Sequence, residues 1–393
     1  PAMNSIVHSA RREARRLRQS PWDLAMITWV PLLAVALIWW IFSAGVPHDL
    51  PMGVQDEDHT ALSRQLTRML DATPGLHVAR PVNDSLEAQA ALRSTEVYAV
   101  VVVPRGFSNE VKQGRVGEVT LLHNAQLGTH SGLIQRDVRA AVGTLSAGVE
   151  LAARAKRGES ALAARVTMDP IHTQLVGLFN VAGNYEQFLA LALVPALLHI
   201  LAMTAGAWAV GRELRDGSLR DWLGQSGQPS RTAGALLGKL LWPWLSLTLV
   251  GLLALAGFTW GRGWHPSGSI AWVAAALALL VGLSVALGAL LAALTRSLRM
   301  ALSGVGFLSA PAFAFSGVAY PLLAMPPSAR AWALAMPFTH YIALQTGQLQ
   351  MGAPLRYSAG AMAGLLAATV LAFLLCIPLL QRALTQPGTW GRR

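Results

Sequence analysis

The chain has a single cysteine, Cys376, among 393 residues. That excludes an intrachain disulfide and any metal site built from several thiolates. Cys376 lies in an apolar run and reads as a small packing residue. Charge is also scarce, at 13% of residues against roughly 25% in soluble domains. Six long apolar runs, 24–46, 187–210, 236–260, 270–294, 301–323 and 358–380, contain no aspartate or glutamate. Proton- and sodium-coupled carriers load and release their ion on a buried carboxylate, so that class is disfavoured. No H-E-x-x-H is present, which removes the zinc route to intramembrane proteolysis. Gly234-Ala-Leu-Leu-Gly238-Lys239-Leu240 is the nearest approach to a phosphate loop. It is one residue short and lacks the Ser/Thr that would ligate magnesium, so the chain does not bind ATP by that route.

What is abundant is apolar surface. The chain is 53% hydrophobic with a mean hydropathy of +0.43, and its length leaves room for two or three domains. The net charge of +11 is not a nucleic-acid footprint, because the basic residues sit beside apolar runs, where the positive-inside rule places them.

Pro1-Ala2 ahead of Met3 reads as a cloning remnant. Residues 1–23 then read as an interfacial segment: Ile6, Ala10, Ala14 and Leu17 form one stripe of a helix over Ser5 to Arg18, with arginines covering the rest. Ser20-Pro21-Trp22-Asp23 restarts the helix, with proline at its first position and Asp23 at the capping-box position. Residues 24–46 are long enough for a first span, which needs about 20 residues. A cleaved signal peptide would have a core of only about 7–15.

Residues 47–183 differ in kind. Strand patterns at Met52–Val54, Leu76–Ala79, Val97–Val103 and Val116–Leu122 alternate with helical ones at Ala61–Leu70, Ser85–Arg93 and Leu133–Arg157. Val97–Val103 is continuous enough to be covered on both faces. This is an inserted α/β domain. Residues 184–393 hold five more spans. Six spans put both termini on one side, together with the arginines of 11–18, 212–231 and 296–299, Lys239, Arg382, Arg392 and Arg393. The short loops opposite hold Arg262, Arg330 and Arg356. The asymmetry makes the first set cytoplasmic and the α/β domain extracytoplasmic. The fold class is thus an α-helical integral membrane protein of six spans with an inserted α/β domain.

The loop 211–235 is the most pointed feature. Asp216-Gly217 reads as a turn, Ser218-Leu-Arg-Asp221 has capping-box spacing, and Leu219, Trp222 and Leu223 share one face of a short helix lying against a membrane surface. In the fifth run, Gly304, Gly306, Pro311, Gly317 and Pro321 predict bends, and 324–356 reads as a re-entrant segment of two short helices. Gly234-xxx-Gly238, Gly257-xxx-Gly261 and Gly360-xxx-Gly364 are candidate helix contacts. His199 lies mid-span, either bonded to a neighbouring helix or on a transport path. His123 and His130 lack ligand-spaced partners. The tryptophans near span ends, such as Trp22, Trp40 and Trp260, read as interfacial anchors.

These residues carry a resemblance. The basic helix before the first span, Leu178-Phe179-Asn180 with Asn184-Tyr185, Arg212-Glu213 with Gly217-Ser218-Leu219, and Gly238-Lys239 are similar to the membrane subunits of ABC type-2 exporters. So are Pro311-Ala-Phe-Ala-Phe-Ser-Gly317, Tyr320-Pro321, Met325-Pro326 and Pro337-Phe338-Thr339-His340-Tyr341. The closest likeness is to the subfamily with a large external domain between the first two spans. Val181 stands where that family usually has proline, and Gly227-Gln228-Pro229 replaces its Thr-Pro.

The resemblance implies a multi-pass protein of the bacterial inner membrane, dimeric with a second copy or a paralogue, and driven by a separate cytoplasmic ATPase. That ATPase would bind ATP and Mg; this chain would hold no cofactor and perform no catalysis. Arg212, Glu213, Gly217, Ser218, Leu219, Asp221 and Trp222 would couple the ATPase to the spans, with Arg212 and Glu213 pairing at the base. Pro311, Phe315, Gly317, Tyr320, Pro321 and His199 would line or gate an outward path. Membrane lipids and a periplasmic adaptor are further implied partners. Two alternatives stay open: an ATPase-independent scaffold or secretion accessory of related architecture, and a ligand sensor.

Overall fold

The computed structural model describes residues 2–125, 128–156, 179–180, 183–224 and 228–390. The expectations placed on Leu178, Val181, Gly227, Arg392 and Arg393 lie outside them. The chain divides into two compact units, Val46–Val176 and the remainder, Pro1–Gly45 with Gly177–Arg393.

The smaller unit is built on a four-stranded sheet of order β2-β1-β3-β4. Its strands are β1 (Leu50–Asp56), β2 (Leu76–Pro81), β3 (Ala99–Val103) and β4 (Thr120–His123). β1 runs parallel to β2 and β3, and β4 is antiparallel to β3. Successive side chains of a strand alternate between faces, and β3 shows it. Ala99, Val101 and Val103 pack with Leu66, Leu70 and Ile134, while Val100 packs on the other face with Val82, Ala88 and Ala91. The helices Ala61–Asp71, Ser85–Arg93 and Gly128–Lys156 form as the periodicity predicts. A six-residue helix, Phe107–Lys112, also forms, and β4 starts at Thr120 rather than Val116.

Among the described residues the larger unit holds six helices long and apolar enough to cross a membrane: Pro21–Ile41, Glu186–Arg215, Pro229–Gly261, Ile270–Thr295, Leu298–Phe315 and Leu355–Thr385. The first is broken at Thr28, whose hydroxyl bonds back to the Leu24 carbonyl. At its start the Ser20 hydroxyl accepts the Asp23 amide as predicted. The Asp23 carboxylate does not return that bond; it turns to Trp208 and Arg212.

The second and fourth spans form the centre, with 56% and 61% of their apolar windows buried against 17% to 22% for the first, fifth and sixth. Their backbones touch at two glycines. A Cβ on Gly206 would lie 2.0 Å from the Val285 carbonyl oxygen, and one on Gly288 would lie 1.9 Å from that of Met203. Small residues permit such close approach in membrane bundles. Of the candidate glycine pairs, Gly238 does pack closely, but against Ile6 of the N-terminal helix; a Cβ on Gly257, Gly261, Gly360 or Gly364 would meet nothing within 4 Å among the described residues.

The second span opens with a π turn, Glu186–Ala190. Carbonyls in this stretch find side-chain amides: Gln350 donates to Gln187 at 2.6 Å and Gln345 to Leu191 at 2.8 Å. Glu186 is buried beside Arg262 at 3.1 Å, and Arg262 also lies 5.3 Å over the Trp39 ring. One ion pair therefore closes the ends of the first three spans. The fifth span stays helical through Gly304 and Gly306 and breaks only at Pro311, whose ring removes a backbone donor. Gly317 follows at φ +88°. Two short helices, Pro327–Ala335 and Pro337–Leu349, then precede the sixth span.

A buried ionic cluster as the candidate functional site

The second span continues past its apolar run to Arg215. Gly217, at φ +70°, reverses the chain there as Asp216-Gly217 predicts. A five-residue helix, Leu219–Leu223, follows and ends at Gly224, φ +78°. Ser218 stands at the cap position but makes no capping bond. Its hydroxyl donates to the Glu213 carboxylate and accepts from Arg16 at 3.3 Å. A charged acceptor binds a hydroxyl more strongly than a neutral one, so the Ser218 O–H points to the carboxylate.

Leu219, Trp222 and Leu223 do share a face, and all three are buried. That face is closed by protein, not presented to a membrane surface. The Trp222 indole donates to Ser9 Oγ at 2.9 Å, and the Ser9 hydroxyl donates to the Ala235 carbonyl at 2.7 Å. Arg220 and Asp221 point outward with Arg215, Asp216 and Gly217.

Arg212 and Glu213 do not pair with each other. Arg212 binds Glu13 and Asp23. Glu213 accepts both guanidinium nitrogens of Arg12 at 2.9 and 3.0 Å, a third bond from Arg16, and the Lys239 ammonium at 2.6 Å. Lys239 also reaches Glu13 at 2.7 Å and lies 4.8 Å over the Trp222 ring. Glu13, Arg212, Glu213 and Lys239 are all buried.

The cluster thus ties the N-terminal helix, the start of the first span, the end of the second, the short helix and the start of the third. The N-terminal helix buries Ser9 and Glu13 together with Leu17; Ile6, Ala10 and Ala14 of the expected stripe are half-buried beside them, so the contact face is wider and more polar than the stripe alone. Leu219–Leu223 is thereby joined to four other segments through buried ionic and hydrogen bonds, and removing one partner of such a bond is costly.

Glu13, Asp23, Arg12, Arg16 and Lys239 were not singled out from the sequence as members of one site. A signal was present. Glu13 is the sole acid in a basic helix, and Lys239 is the only charged residue inside the six apolar runs.

The candidate gate residues are dispersed. Pro311 sits at the helix break, Phe315 is half-buried beyond it, and Tyr320 and Pro321 are exposed. His199 is buried in the second span; its Nδ1 lies 2.7 Å from Ser284 Oγ of the fourth. Its ring stacks on Phe338 at 6.3 Å, and Phe338 in turn lies 6.5 Å from Phe313. In the smaller unit, His123 Nδ1 bonds Ser131 at 2.7 Å and His130 lies against Tyr98. Among the described residues no group of three His, Cys, Asp or Glu is placed to hold a metal.

Residues 21–377 match a family model described as "ABC-2 family transporter protein". Over 168 residues, 42% of its length, the chain is 23% identical to the linearmycin resistance permease protein LnrN of Bacillus subtilis (strain 168). That match spans 43% of the relative.

Proposed function

The chain belongs to the ABC-2 transporter family, and from that premise we propose that it is the permease subunit of an ATP-driven exporter moving a hydrophobic or amphipathic substrate outward across the bacterial inner membrane. Its fuel comes from a separate cytoplasmic ATPase that binds ATP and Mg. One observation carries the reading: the exposed edge of Leu219–Leu223, Arg220 and Asp221, is backed by the buried ionic cluster that grips four other segments. A load applied at that edge is transmitted, because the opposite face cannot slide free.

Further support comes from charge. The basic residues of the N-terminal helix and of 212–231 favour the cytoplasmic side by the positive-inside rule. The α/β unit then lies outside the membrane, where it receives substrate or docks an adaptor. The segment 324–356 dips back into the outer leaflet. An apolar groove of about 900 Å³ between the third, fourth and sixth spans, lined by Leu241, Trp244, Ala278 and Phe373, suits a second permease copy or lipid. A relative named for linearmycin resistance favours export over import.

The test is co-purification with the products of the neighbouring genes, followed by ATPase and transport assays in proteoliposomes with any ATPase found among them. Stimulated hydrolysis that depends on Arg220 and Asp221 supports the proposal. A chain that purifies without any ATPase, and functions after deletion of Leu219–Leu223, is instead the ATPase-independent scaffold.

A further inference from the structure

The larger unit contains a second recess, unconnected with the ionic cluster. It holds about 340 Å³ and is walled by His199 and Met203 of the second span, Leu287 of the fourth, Leu308 of the fifth, Trp332 and Ala368. Leu371 and Leu375 of the sixth span lie at its mouth, and both are exposed. The recess therefore opens through the apolar outer surface. Its volume is at the small end of ligand pockets, roughly 300–1,000 Å³.

Its one titratable wall residue has an unfinished set of bonds. His199 is 2% exposed. The Ser284 hydroxyl lies 2.6 Å from the Leu280 carbonyl and 2.7 Å from His199 Nδ1. A hydroxyl has one proton. Given to Leu280, it leaves Ser284 Oγ as an acceptor, so Nδ1 carries the ring proton of a neutral imidazole. Nε2 is then an acceptor, and it has no hydrogen-bond partner among the described residues. His199 keeps a little exposure and lines the recess; an acceptor left without a donor in apolar surroundings is disfavoured, and a ligand offering one would complete it.

We infer that this recess binds a small amphipathic molecule entering from the bilayer, whose hydroxyl or amide N–H is read by His199 Nε2 while its apolar body packs on Met203, Leu287, Leu308 and Trp332. The inference names a substrate class for the proposed exporter and rests on that reading for its purpose alone. Thioether and indole walls suit variable apolar bodies, whereas the single acceptor discriminates by one group. A ligand without a donor leaves Nε2 unmatched.

The experiment needs no ATPase. The full chain in lipid nanodiscs is dialysed against 2-naphthol and against 2-methylnaphthalene, which replaces the hydroxyl by a methyl group, with empty nanodiscs subtracted. The expected result is saturable binding of 2-naphthol, about tenfold tighter than that of its methyl analogue. His199→Phe is expected to remove the preference, and His199→Gln, which offers a carbonyl, to keep part of it. Ala368→Phe fills the recess, leaves the His199–Ser284 pair intact, and is expected to abolish binding of both probes. Should His199→Phe fail to fold, Ala368→Phe and His199→Gln decide. Equal binding of the two probes, partition without saturation, or a preference that survives either His199→Phe or Ala368→Phe overturns the inference. Intact binding with no ATP-driven transport would sink the exporter reading and leave this one standing.

Discussion

Glu13 and Lys239, 226 residues apart in sequence, meet at 2.7 Å in the interior of the membrane unit. Neither stands alone: Glu13 also takes Arg212, and Lys239 also takes Glu213. In all, Arg12, Arg16, Arg212 and Lys239 face Glu13, Asp23 and Glu213, an excess of one cation.

That excess makes the two sides of the cluster unequal. Losing an acid strands cations, and removing one partner of a buried pair costs about 3–5 kcal/mol. Losing Lys239 leaves Glu13 with Arg212, and Glu213 with Arg12 and Arg16. Glu13→Gln and Glu213→Gln are therefore expected to lower stability markedly, and Lys239→Met much less. The chain supplies its own reporter, because Cys376 is fully buried. A fluorogenic maleimide that reacts with it only on unfolding gives each variant's melting curve. Lys239→Met melting as early as Glu13→Gln would contradict the argument.

The two faces of Leu219–Leu223 are expected to separate stability from coupling. Trp222 fills the interior, and its replacement by alanine costs about 3–5 kcal/mol. Arg220 and Asp221 are exposed, and changes at such positions stay within about 0.5 kcal/mol. Arg220→Glu with Asp221→Lys is therefore expected to melt like the parent yet to lose most ATPase stimulation in proteoliposomes. Full stimulation by the double variant would place the load-bearing contact elsewhere.

Gly206 and Gly288 set the distance between the two central spans. A methyl at either meets a backbone carbonyl at 2.0 or 1.9 Å, and carbonyls cannot turn aside as side chains do. Gly206→Ala and Gly288→Ala are each expected to destabilise by about 1–3 kcal/mol. Gly360→Ala meets nothing and is expected to leave the monomer's melting curve unchanged. The same Cys376 assay reads all three.

Much of this architecture is written locally. Six apolar runs of spanning length, and the alternation of strand and helix patterns before the second of them, survive into the structure because each is a property of consecutive residues. What the sequence hides is choice among partners. Arg212 and Glu213 are adjacent, yet the helix sends their side chains to different neighbours, each about 200 positions away. Ser218 has a capping sequence, but a carboxylate in reach outcompetes a backbone amide. Gly304 and Gly306 carry no bend because glycine permits one without requiring it, whereas Pro311 lacks the donor a helix needs. A Cβ on the spaced glycines at 257–261 and 360–364 would meet nothing within 4 Å among the described residues, whereas one on Gly206 or Gly288 would strike a neighbouring span. The coupling role proposed for the short helix rests on the family and on the cluster together, since a buried ion cluster alone does not imply one.

Orientation in the membrane is the remaining premise, and the single cysteine makes it directly measurable. Cys376 is shielded, so the native chain itself offers an impermeant maleimide no target. Val116, 90% exposed in the α/β unit, and Arg220, exposed on the short helix, are both open to reagent. The positive-inside rule puts them on opposite sides. Val116→Cys is expected to label in intact spheroplasts, and Arg220→Cys only after lysis. Both variants labelling before lysis would break the six-span arrangement. Arg220→Cys alone labelling before lysis would invert it, and no cytoplasmic ATPase could then reach the exposed edge of the short helix, as the proposed coupling requires.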